Sequence, residues 1–151
     1  MRGAVPITVF VVLGMAALPA CTAFGERPLD PGDIAALEAR ANQAQPREQC
    51  FLYAQLVQQM TELSIRQYAA GDVDKAAILL KQVQRVAQKI HLSLAENDKR
   101  LKNAEILLSH SAFRLSEMLH SSSIEDRPLV EQTLAQVTRA KDAALMEVFQ
   151  K

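Results

Sequence analysis

The chain has 151 residues, of which 49% are hydrophobic and 23% charged, with no tryptophan and a formal charge of zero. That is enough for one globular domain, and too apolar for a disordered one. Nucleic-acid binders usually carry a marked basic surplus, which a neutral chain lacks.

Residues 1–20 have the layout of a secretory signal peptide: Arg2 near the start, an uncharged apolar core from Ile7 to Leu18, and small residues around Ala20. The core is broken by Gly14 and followed by Pro19, so it falls short of the roughly 20 apolar residues that a membrane-spanning helix needs. Leu18-Pro19-Ala20-Cys21 resembles the lipobox of bacterial lipoproteins, although Pro19 departs from the usual pattern. The resemblance implies a lipid on Cys21, an address in the periplasm or on a membrane, and Cys50 as the one remaining thiol. Two other fates stay open for Cys21. Ordinary signal-peptidase cleavage can end at Ala23, or an oxidising compartment can join Cys21 to Cys50. Cys50 lies beside Phe51 and Tyr53 on an apolar helix face, where a buried, inert cysteine is the plainer reading.

Residues 21–32 contain Gly25, Pro28, Pro31 and Gly32 and read as a flexible tether. From residue 33 to 151 the pattern predicts a single helical domain. Asp33 is the expected N-cap of a short helix, about 34–44, with Ile34, Leu37 and Ala41 on one side. So short a helix is marginal alone and has to dock. Pro46 suits a first helical turn, and a second helix of about 47–70 follows, with Tyr53, Leu56, Val57, Met60, Leu63 and Ser64 on one stripe. Gly71 is placed to supply a left-handed C-cap.

The turn from Ala69 to Ala76 (AAGDVDKA) resembles the hairpin of a tetratricopeptide repeat, but only one copy is present and a solenoid needs about three.

Asp72 to Arg127 contains neither glycine nor proline. Counting from Val73 in alternating steps of three and four, twelve of fourteen positions to Met118 are apolar, the exceptions being Asn97 and Ser111. The period predicts one long helix of about 73–120. After Ser121-Ser122-Ser123, Asp126 and Pro128 open a last helix of about 128–149, whose stripe is Val130, Leu134, Val137, Ala144, Leu145 and Val148.

The fold class is therefore all-α: antiparallel hairpins, or a bundle, around the long central helix. Two arrangements fit. A continuous helix of about 70 Å can carry one partner at each end, or it can bend near Glu96–Arg100 and close into a compact four-helix bundle. The absence of glycine and proline favours the continuous form, since sharp kinks generally have such a cause. In that form the seam narrows at Asn97, uncovered by either partner. Asn97, Asp98 and Arg100 are thus the candidate contact for a protein partner or a second copy.

No catalytic constellation is visible. Glu117 and His120 have the Glu-x-x-His spacing of di-metal bundles, but such sites need a second pair and two more glutamates. Glu117, His110 and His120 fall on the solvent side of the heptad, and His91 is the only histidine expected beside the core. There is no phosphate-binding glycine loop, Gly-x-Ser-x-Gly, Cys-x-x-Cys or His-Glu-x-x-His. Neither cofactor nor metal is expected.

Lys99 to Ile106 (KRLKNAEI), followed by Arg114-Leu115 and Ile124-Glu125-Asp126-Arg127-Pro128, resembles small exported helical proteins of soil bacteria such as acidobacteria. That group carries no assigned activity, so the resemblance implies a helical fold and export but no site. The function expected from all of this is a non-enzymatic envelope protein, a lipoprotein acting as an interaction or structural module. Two alternatives are a periplasmic holdase-type chaperone, although no Leu-Thr-x-x-Gln is present, and a ligand- or metal-binding bundle.

Overall fold

A computed structural model describes residues 30–94 and 100–150, and these contain five helices and no strand. In chain order they are α1 (Pro31–Gln43), α2 (Pro46–Ala69), α3 (Val73–Leu92), α4 (Leu101–Ser121) and α5 (Arg127–Phe149).

Each boundary has a local cause. α1 begins three residues before the expected Ile34, because Pro31 is set for a first turn and the Asp30 carboxylate accepts from the Gly32 N–H at 3.3 Å. Asp33 is instead an acid in the first turn, where the helix dipole favours it. α2 closes as expected at Gly71, whose φ is +86°. The Asp72 N–H reaches the Gln67 carbonyl and the Gly71 N–H reaches that of Tyr68, which satisfies two carbonyls of the last turn. A side chain at Gly71 would meet nothing within 4 Å, so the position costs other residues backbone strain alone, about 1 kcal/mol.

The stretch read as one long helix is two. α3 ends at Leu92, where the Ser93 N–H and hydroxyl turn back onto the Ile90 carbonyl, and α4 starts at Leu101. The directions are fixed by side chains. The Arg100 guanidinium lies 3.7 Å from the centroid of the Phe51 ring, Arg114 meets Glu62, and Ser123 meets Tyr68, so α4 runs parallel to α2. In α3, Lys89 lies beside Tyr53 near the start of α2, so α3 runs the other way. A continuous spine would have left one flank of α2 bare. Folding back lets α4 bury Leu101, Ala104, Leu108, Ser111, Leu115 and Met118, the six positions of the predicted seam that fall on this helix. Each large apolar side chain so buried is worth about 1.5–3 kcal/mol. The glycine-and-proline rule concerns kinks inside a helix. Here the helix ends and another begins, which needs no breaker.

The result is two antiparallel hairpins, α2–α3 and α4–α5, laid face to face. α2 packs on α3 and α4, α5 packs on α3 and α4, and the backbones of the diagonal pairs α2/α5 and α3/α4 do not approach closely. α1 docks on the other flank of α2 through Ile34 and Ala41. α2 is therefore the hub, with neighbours on three sides. It buries Cys50 to Ala54 without a break and then Leu56, Val57, Met60, Thr61, Leu63 and Ser64.

α5 buries Val130, Thr133, Val137, Ala140 and Ala144, while Leu134 and Val148 are half-buried and Leu145 is exposed. The buried face is thus rotated from the expected stripe toward Thr133 and Ala140, small residues that let helices approach closely.

Candidate functional site

Cys21, the expected lipidation site, and Asn97 and Asp98 of the expected partner contact lie outside the described residues. Arg100 is described, and it is engaged within the chain as the cation over Phe51. Three polar clusters join the elements.

The first holds α1. Asn42 Oδ1 accepts from the Tyr53 hydroxyl at 3.1 Å and from Lys89 Nζ at 3.2 Å, while Lys89 stands 5.6 Å from the Tyr53 ring centroid. Burial, and then the charge of Glu38, hold the Tyr53 phenol above its ordinary value near 10.

The second joins α2 to α4. Arg114 Nε donates to Glu62 Oε1 at 3.0 Å and Nη2 to Oε2 at 3.3 Å, a two-pronged pair, and Nη1 donates to Glu117 Oε2 at 2.5 Å. The hydrogen bonds of Glu62, then those of Glu117, drive the guanidinium further into its charged range.

The third closes the far end. The Tyr68 hydroxyl donates to Asp126 Oδ2 at 3.1 Å and accepts from the Ser123 N–H at 2.9 Å. Asp126, expected as a side-chain cap for α5, makes no such bond and is turned toward Tyr68 and the Ser123 hydroxyl.

Fully buried hydroxyls lie along the interhelical faces: Thr61 and Ser64 on α2, Ser111 on α4 and Thr133 on α5. Ser64, Ser111 and Thr133 donate to carbonyls of their own helices, and Thr133 also accepts from Gln84 of α3 at 2.9 Å. Thr61 Oγ1 has no partner. Thr61 and Thr133 are absent from the apolar stripes because their type reads as polar, yet each continues the helical spacing of its neighbours.

The histidines do not converge. His91, expected beside the core, is exposed in an open groove of about 320 Å³ between α3 and α5, with Arg139 on the opposite wall. It sits in the last turn of α3, across the groove from Gln136 and Arg139 of α5. His120 keeps to its own helix, its Nδ1 at 2.7 Å from the Ser116 carbonyl oxygen, and Glu117 is held by Arg114. Among the described residues, no three of His, Cys, Asp and Glu come close enough to hold a metal ion. No described helix is long and apolar enough to cross a membrane.

What the surface does offer is apolar. Ile106 and Phe113, two turns apart on α4, are 53% and 62% exposed, and on α3 Ile78 and Leu92 are 57% and 86% exposed. These positions fall outside the seam, so a reading centred on buried faces passes over them. Compared with known protein families, characterised proteins and solved structures, the chain finds no match.

Proposed function

We propose that the chain is a non-enzymatic module of the bacterial cell envelope that binds another protein chain through the outer face of its helical bundle. In this reading residues 1–20 direct export and Cys21 carries the lipid that holds the bundle at a membrane. The observation that carries the binding role is the outward face of α4, where Ile106 and Phe113 stand in line, each more than half exposed. Exposed apolar side chains in register along one helix are a recognition surface in the helix-to-helix mode. The leader and the Leu18-Pro19-Ala20-Cys21 run support the address.

Two measurements test it. A palmitate analogue should label the full chain and fail to label Cys21→Ser; equal labelling removes the anchor. A photo-crosslinking residue at position 113 should form a discrete adduct with a protein in intact envelopes, and one at exposed Glu131 of α5 should not. If position 113 gives none, or both give the same smear, the binding role falls.

A further inference from the structure

We infer that the outer face of α4 pairs with the same face of a second copy of this chain, antiparallel and about a two-fold axis through Ser109 and His110. The inference rests on the interaction-module reading and names its partner. At 100° per residue, Lys102, Ile106, Phe113 and Glu117 fall within a sector of about 60°. Lys102, Ile106, His110, Phe113 and Glu117 are exposed, and Ser109 is half-buried beside them.

Their order along the helix is symmetric in position and opposite in charge. Ile106 and Phe113 lie equally far on either side of the Ser109–His110 midpoint, and so do Lys102 and Glu117. Two such helices laid antiparallel therefore set Ile106 against the second copy's Phe113, and Lys102 against the second copy's Glu117, twice over. That is the self-complementarity an isologous dimer requires. Lys102 makes no ion pair within the chain among the described residues, and Glu117 offers Oε1 beyond the oxygen that Arg114 holds.

The exposed apolar face of α3 does not have this property. On α3, Ile78 and Leu92 are symmetric about Arg85, but the same operation sets Arg85 against Arg85 and Lys81 against Lys89. Like charges oppose there, and α3 cannot pair with itself in this way. The α4 interface is small and lined by few apolar groups, which places it in the transient class and makes protein concentration the variable to scan.

Sedimentation of the full chain up to the millimolar range should show a monomer–dimer equilibrium. Phe113→Ser and Lys102→Glu should each weaken it at least about tenfold. Ile124→Ser, at an exposed position in the α4–α5 turn, should leave it unchanged. The decisive variant is the exchange Lys102→Glu with Glu117→Lys, which restores opposite charges across the axis and should return the affinity to within about threefold of the parent. All substitutions are on the exposed surface, and circular-dichroism melts confirm folding before each run.

A chain that stays monomeric throughout overturns the inference. So does a dimer indifferent to Lys102→Glu, or an exchange variant no tighter than its single parents. A monomer that still crosslinks to another envelope protein through position 113 overturns the second-copy partner and leaves the interaction role standing.

Discussion

The Tyr68 hydroxyl donates to the Asp126 carboxylate at 3.1 Å across 58 residues of sequence, and it accepts the Ser123 N–H as well. One phenol thereby ties the end of α2 to the turn between α4 and α5. Tyr68→Phe removes both bonds, keeps the ring and leaves the Ser123 N–H to water. A loss of about 1–2 kcal/mol in unfolding free energy is expected by urea denaturation. Asp126→Ala should cost a similar amount, and the two together less than their sum, because they share one bond.

The Arg114–Glu62 pair should count for more than an ordinary surface ion pair. Its side chains are 32% and 23% exposed and its geometry is two-pronged. A double-mutant cycle with Arg114→Ala and Glu62→Ala should give a coupling of about 1 kcal/mol, against a few tenths for the exposed Lys75–Asp72 pair. Arg114→Lys should recover less than half of it, since an ammonium cannot bridge both carboxylate oxygens.

Thr61 points the other way. Its hydroxyl is fully buried without a partner, so its desolvation is uncompensated. Thr61→Val keeps the shape and removes the hydroxyl, and should raise the unfolding free energy by about 1 kcal/mol. A destabilised valine variant would mean that Thr61 does find a partner in solution.

Tyr53 gives the chain an alkaline limit. Its folded-state pKa is raised above the ordinary value of 10.0, so the native state holds the proton longer than the unfolded chain does. The stabilisation is complete below pH 10 and is lost as pH rises through the folded value. Above about pH 10 the parent should lose stability more steeply with pH than Tyr53→Phe does, as measured by denaturant midpoints across an alkaline series.

Much of the fold was legible because burial in a helix leaves a period. The α4 seam and the α2 stripe are buried as read, and Gly71 takes the left-handed turn that its place implied. The reversal between Leu92 and Leu101 was legible only as the less favoured of two arrangements, because no glycine or proline in Ser93 to Arg100 enforces it. What decides it is a distant fact, that α2 has a flank which only α4 can cover. Thr61 and Thr133 were missed for a related reason. A hydroxyl that can bond to its own helix is tolerated in a core, and polarity alone does not mark it as exposed. The outer face of α4 was hidden by the opposite error, since apolar residues off the seam draw no attention until exposure is known.

The hydrogen bonds that bind one hairpin to the other span 49, 52, 55 and 58 residues, a nearly constant offset that follows from their parallel stacking. By contrast, three residues separate α2 from α3 and five separate α4 from α5. Closing a loop of about fifty residues costs on the order of 2 kcal/mol more in chain entropy than closing a short turn. Each hairpin can therefore zip on its own timescale, while the bonds between them must all wait for the same slow encounter and then arrive together. The molecule has two quick local steps and one late collective one, and it is at that last step that Glu62, Tyr68, Gln84 and their partners are first brought within reach.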